Sequence, residues 1–483
     1  MSDLGTHGPL SARVRIGYGL GSFGTGTFAT VPGLLLLYYL TDVLGVAAGV
    51  AGALVFLPKA WDVLINPCVG SLSDRTVHRW GPRRPWMLLG AVAMPVSFAA
   101  MFAGPPLERG WAAAYVAVLF LLTATGFACF QVPYVALPAE LTTDHDERAR
   151  IMSWRVAFLG GAILLAGALA PVLAGASGDE RGTLGGYRLM GAVIGVLLCA
   201  GTLAAFFATS GAPSVLRAVS EPSLAAQLRA ARGNRPFAWL LGFYVVQAAA
   251  AGLMLAGAQY FATYVLDRPK AITALFACLI VPSLAAMPLW LALGRRLGKR
   301  AAAFAASLCF LVAAAGTSTA RGLPAWAVYA FMALAGVGYA GMQMLPLAML
   351  GDAVAADAFL SGRRRAGVFT GLWTAGETLG LAVGPGLFGL ALSISGFVSS
   401  DADHRVAQPD SAPGGVVVGF GALPAALVAL SLPLLARYDL TEDRLDELRA
   451  ASEAAAEAWT ETAAGTSAEI ASEAETAAGR DRG

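Results

Sequence analysis

Apolar blocks of roughly 20 to 30 residues recur along almost the whole chain, and no other feature limits the possible folds so strongly. At 1.5 Å of rise per residue, each block is long enough as a helix to cross a hydrocarbon core of about 30 Å. Inside that medium every backbone N–H and C=O must be paired within the segment, which selects helices over open sheets. The blocks fall at 15–41, 47–73, 85–104, 111–139, 151–175, 187–209, 236–265, 271–293, 300–319, 325–353, 366–396 and 414–436. With 57% hydrophobic and 13% charged residues, the composition excludes a soluble multi-domain protein. The expected fold is an all-α membrane protein of twelve transmembrane helices.

Charge placement sets the expected orientation. Of the 33 Lys and Arg residues, counting those at the edge of a span with the adjoining gap, 24 fall in the termini and in alternate gaps such as "SDRTVHRWGPRR", "GRRLGKR" and "SGRRRAG", 7 on the opposite side and 2 within the spans. Basic loops resist translocation, so both termini are expected in the cytoplasm and the chain in the cytoplasmic membrane. The N-terminus shows no small-residue cleavage site, so the first block is expected to be retained as a helix. The five cysteines lie within apolar blocks without metal spacing and read as small hydrophobes. All four histidines lie in loops or termini, and no phosphate-binding glycine loop occurs; the expectation is no metal, no cofactor, no ATP-driven step and no enzymatic activity.

The longest basic-side gap, 210–235, divides the spans six and six. "GSLSDRTVHRWGPRR" after span 2 is echoed by "LALGRRLGKR" after span 8, and "AELTTDHDERAR" after span 4 by "GDAVAADAFLSGRRRAG" after span 10. Offsets of a little over two hundred residues predict two parallel, pseudo-symmetric six-helix bundles, 1–209 and 236–437. A tail, 438–483, begins as an amphipathic helix and decays into Ala/Glu/Thr/Ser low complexity, for which disorder is expected.

"GSLSDRTVHRWGPRR" resembles the Gly-x-x-x-Asp-Arg motif of the major facilitator superfamily. Asp74 beside Arg75, Arg79, Arg83 and Arg84 can form a charge network that closes in one conformation and breaks in another; the same arginines also serve as simple membrane anchors. Arg148 and Asp352 sit at the corresponding inner ends and join the expected cytoplasmic gate. "GYGLGSFG", "YYLTDVLGV", "WDVLINPCVG", "VPYVALPAELTTDHDERARIMSWR" and "MLGDAVAADAFLSGRRRAGVFTGLWTAGETLG" look more narrowly like the glycoside-pentoside-hexuronide:cation symporter family. That resemblance implies a secondary transporter moving a small polar organic solute, a sugar or glycoside, by alternating access with a coupling cation. A lysolipid or hydrophobic metabolite on the same scaffold, or an uncoupled uniporter, is the alternative. The expected partners are a small-molecule solute and the lipid bilayer, with no nucleic acid and a monomeric chain.

A Lys or Asp at mid-membrane costs roughly 2.5–3.5 kcal/mol on insertion scales, so Lys59, Asp62 and Asn66, spaced i, i+3, i+7, are expected to share a face on the central cavity. The resemblance makes Asp62 a cation-site carboxylate, but the second acidic position is Asn66, and Ile65 and Ala128 offer no ligand side chain. A hard cation needs several oxygens, whereas a proton needs one carboxyl group, so coupling by H⁺ is expected over Na⁺. Glu377 stands where the family commonly has lysine. It reads either as a protonatable carboxylate or partner of Arg155 or Lys59, or as half of a structural ion pair. Arg155 corresponds to a family sugar-site arginine, with snorkelling to the surface as the bland alternative. The family's sugar-binding carboxylates appear here as Gly26 and Gln131, and its span 4 tryptophan as Val135. Gln131, Tyr134 and Trp373 are expected at the substrate site, with Gln247, Gln259, Gln343, Tyr260 and Thr374 as further neutral candidates.

Overall fold

The computed structural model describes residues 10–104, 108–142, 145–176, 183–210, 234–361, 366–401, 406–440 and 444–451. The central connection and most of the tail lie outside the described residues, as does the side chain of Arg148. The first bundle comprises α1 (Ala12–Val31, continued by π-helical turns at Pro32–Leu36 and Tyr39–Val43), α2 (Ala48–Arg75), α3 (Arg84–Met101), α4 (Arg109–Leu141), α5 (His145–Ala174) and α6 (Leu184–Thr209). The second comprises α7 (Arg235–Tyr260, continued by a π turn at Phe261–Val265), α8 (Ala271–Leu297), α9 (Lys299–Thr317), α10 (Ala325–Ser361), α11 (Ala366–Ile394) and α12 (Ala412–Val417, a π turn at Val418–Ala422, then Leu423–Ala436). Among the described residues, 11 helices are long and apolar enough to cross a membrane. The twelfth is α1, whose "GYGLGSFGTGTFAT" lowers its apolarity without interrupting the helix.

Local chemistry sets several helix ends. Ser11 and Thr183 accept hydrogen bonds from Val14 N and Gly186 N, and Asn234 Oδ1 accepts from Phe237 N, so each satisfies an otherwise orphaned donor; a cap of this kind contributes about 1 kcal/mol. Gly298, at φ 83°, both ends α8 and precedes α9. Only glycine adopts that conformation without cost, which permits the tight basic-side reversal.

The packing repeats between halves. In the first bundle α1 lies on α5 and α6, α4 on α2 and α3, and α3 on α6; in the second, α7 lies on α11 and α12, α10 on α8 and α9, and α9 on α12. The bundles meet along α2–α11 and α5–α8, two pairs that exchange under the same pseudo-twofold relation. At the α2–α11 crossing, a Cβ on Gly389 would lie 2.6 Å from Ala48 O and 2.9 Å from Gly52 Cα, so side chains are excluded and the backbones touch.

Candidate functional site

The polar stripe of α2 begins where that crossing ends. Gly52 and Phe56 lie against Pro385–Gly389 of α11, and Lys59 and Asn66 continue the same helical face towards the basic-loop end. Trp61 points away from it, donating to Thr125 Oγ1 at 3.1 Å and fastening α2 to α4. Asp62 is 7% exposed, and its Oδ1, like that of Asn66, is buried without a hydrogen-bond partner. Lys59 is the charged neighbour of Asp62, but no ion pair closes between them among the described residues. Ile65 packs with Val69, Ala128, Cys129 and Val132. The two positions that lack a ligand side chain therefore form dry contact between α2 and α4.

Across the first bundle, Tyr18 and Tyr134 stack at 4.5 Å between ring centroids and bond reciprocally. Tyr18 OH donates to Tyr134 O at 3.1 Å, and Tyr134 OH donates to Tyr18 O at 2.7 Å and lies 2.8 Å from Ser22 Oγ. The hydroxyl expected to meet solute is thus engaged within the bundle, where Arg155 also hydrogen-bonds it, the guanidinium carbon lying 5.8 Å from the ring centroid. Arg155 is half-buried; its Nε and the Oε1 of Gln131 are buried without partners. Gly26 occupies an α1–α5 contact, where a Cβ would lie 3.0 Å from Ala162 and Leu159 carbons, so that position is helix packing and has no room for a carboxylate.

The second bundle answers with a carboxylate. Tyr244 on α7 stacks on Trp373 of α11 at 4.2 Å and 19°, and its hydroxyl donates to Glu377 Oε1 at 2.8 Å. Gln343 of α10 hydrogen-bonds both Tyr244 and Glu377, and Tyr339 lies beside the carboxylate. Tyr244 was missed by sequence reasoning; the signal was a phenol inside the apolar run "GFYVVQA". Three of the neutral candidates belong elsewhere. Gln247 donates to Ser307 Oγ at 2.8 Å and Ser431 Oγ at 3.4 Å, joining α7 to α9 and α12. Gln259 donates to Thr263, and Tyr260 lies in the contact between bundles. Each found a partner in packing before it could reach a cavity.

At the basic-loop end the ion pairs seen among the described residues join residues of the same bundle. Arg83 pairs with Asp74 at 3.2 Å, whereas Arg75 and Arg79 are exposed, Arg79 lying over the Trp80 ring at 5.1 Å. Glu147 lies 3.5 Å from Arg15 and 3.4 Å from Arg150. Asp352 receives both of its contacts, 2.7 and 2.8 Å, from Lys299.

The opposite end is shut. Here the π turns of α1 and α7 meet: fully buried Asp42 accepts from Thr41 Oγ1 at 2.5 Å and from Tyr264 OH, and Thr41 Oγ1 lies 2.6 Å from Tyr260 OH. Ser400 N donates to Thr41 O at 2.9 Å, Ser399 Oγ to Val46 O at 2.7 Å, and Arg109 lies 3.4 Å from Asp401. These contacts between the two bundles all lie at this end. A small cleft of about 240 Å³ between Pro171, Tyr187, Gln259 and Lys270 also lies there, away from the polar walls.

Two pseudo-symmetric helical bundles, joined at one end and presenting buried polar groups from α2, α4 and α5 on one side and α7, α10 and α11 on the other, define a membrane transporter rather than an enzyme. The chain belongs to the MFS/sugar transport protein family, whose model matches residues 17–442. It is 29% identical to the putative glycoside/cation symporter YagG of Escherichia coli, over 91% of this chain and 94% of that one. It is 24% identical to the isoprimeverose transporter of Lactiplantibacillus pentosus, over 86% and 87%. Among solved structures, the D-xylose-proton symporter superposes with a TM-score of 0.65 over 89% of this chain and 98% of that one; at 14% identity this likeness shows the fold alone.

Proposed function

We propose that this protein moves a sugar or glycoside across the cytoplasmic membrane by alternating access, coupled to protons. One observation carries the reading: in the first bundle Asp62 Oδ1, Asn66 Oδ1, Gln131 Oε1 and Arg155 Nε are buried without hydrogen-bond partners, and in this reading they face the Glu377–Gln343 wall of the second bundle. Buried polar atoms without partners cost about 1–3 kcal/mol each, a cost that a hydroxyl-rich solute removes on binding. The names of the relatives, a glycoside/cation symporter and an isoprimeverose transporter, support the same solute class. With the basic loops cytoplasmic, both termini are inside and the conformation described is inward-facing.

Coupling falls to Asp62. It is the one carboxylate of the α2 stripe, and the dry packing of Ile65 and Ala128 supplies no side-chain oxygen for Na⁺. In this reading Arg155 and Gln131 hold solute oxygens, Tyr134 positions Arg155, and Trp373 borders the opposite wall. In proteoliposomes, an imposed pH gradient at constant Na⁺ is expected to drive uptake of the transported glycoside, and Asp62→Asn to remove that drive while sparing exchange. Strict Na⁺ dependence without any response to the pH gradient would overturn the proton assignment and leave the transporter reading intact.

A further inference from the structure

The pseudo-twofold relation sets opposite charges on equivalent helices. Arg155 lies on the fifth helix of the first bundle and Glu377 on the fifth helix of the second. Arg155 has no carboxylate partner and Glu377 no cationic partner among the described residues. The partners of Glu377 are the neutral donors Tyr244 and Gln343. Around it Tyr244 and Trp373 are buried, and Glu377 itself and Tyr339 are half-buried. Two neutral donors leave some of its roughly four lone-pair sites unfilled.

Closing the bundles around a neutral solute that holds Arg155 and Glu377 too far apart to pair would bury one uncompensated positive and one uncompensated negative charge, which is costly at low dielectric. Closing them around a solute that bears a cation at one end and hydroxyl or acidic oxygens at the other compensates both. Aromatic rings beside a carboxylate add a favourable quadrupole for a cation.

We propose that Glu377, oriented by Tyr244 and Gln343 and flanked by Trp373 and Tyr339, is the counter-ion for a protonated amine on the solute, so that the preferred substrate is an amine-bearing sugar or glycoside whose oxygens face Arg155. This rests on the sugar reading above and narrows it. Glu377 then acts as a substrate ligand, with proton coupling left to Asp62.

The test is binding to purified protein, by calorimetry, of a panel of monosaccharides and methyl glycosides, each in matched hydroxyl, free-amine and N-acetyl forms. The free-amine form is expected to bind about tenfold or more tightly than its hydroxyl partner, the gain available from one charge-assisted contact. The N-acetyl form, equally bulky but uncharged, is expected to show no such gain. Glu377→Gln is expected to erase the preference, bringing the amine and hydroxyl forms to equal affinity, and Tyr244→Phe to reduce it several-fold. Equal binding of amine and hydroxyl forms by the wild type overturns the proposal and leaves the sugar reading standing. A preference that survives Glu377→Gln overturns the assignment to that carboxylate. If Glu377→Gln does not fold, the wild-type comparison and Tyr244→Phe still decide. Binding of no saccharide in the panel overturns both readings.

Discussion

Tyr264→Phe isolates the latch that closes one end of the protein. The Tyr264 hydroxyl belongs to the second bundle and donates to the Asp42 carboxylate of the first, which is 0% exposed. Phenylalanine keeps the ring and its edge-on contact with Phe397 and removes only the donor. A hydrogen bond to a charged acceptor contributes about 1.5–3 kcal/mol net, and its loss leaves part of a buried carboxylate unsatisfied. The bond exists only while this end is closed, so the whole amount enters the equilibrium between closed and open states. The expected shift towards the open state is about ten- to 150-fold. Spin labels at Gly110 and Gly322, two open positions at this end on different bundles, read the separation by pulsed electron resonance. Tyr264→Phe should move population from the short to the long distance. Tyr115→Phe, which removes a hydroxyl contact of 2.8 Å to Ala100 O within one bundle, should not. An unchanged distance distribution in Tyr264→Phe would refute the latch.

Gly389→Val should open the same end by a different route. Its Cβ would meet backbone atoms of Ala48 and Gly52 below 3.0 Å, so α2 and α11 must part, and the same label pair should report the longer distance. Arg155→Ala is expected to weaken solute binding about ten- to hundredfold, while thermal melting changes by the equivalent of about 1 kcal/mol or less, because no ion pair is lost; a large loss of stability with binding retained would make Arg155 structural. Asp352→Asn breaks a pair with Lys299 that is partly exposed and internal to the second bundle. It should cost about 0.5–1 kcal/mol of stability without altering the distance between labels placed on the two bundles at the basic-loop end; a changed distribution would place Asp352 in the gate.

Much of the architecture is legible in the amino-acid order because the bilayer leaves so few solutions. Helix length follows from hydrocarbon thickness, helix number from the count of apolar blocks, and the two-bundle plan from the repeat of basic motifs about two hundred residues apart. The polar stripe of Lys59, Asp62 and Asn66 is equally legible, because helical periodicity alone puts them on one face. Partner choice is different, since it depends on which helices lie within a few ångströms. Gln247 and Tyr244 are both polar residues on α7, one turn apart and alike in sequence context, yet Gln247 turns outward to Ser307 and Ser431 while Tyr244 turns to Glu377. Likewise nothing in "YYLTDVLGV" says that Asp42 will be sealed beneath a tyrosine 222 residues away. The sequence by itself determined a membrane-spanning helical transporter and the residues costly enough to need a purpose. The tertiary structure alone decided which buried groups satisfy one another and which, such as Arg155 and Asp62, retain atoms without a partner, because that depends on distances between helices remote in the chain.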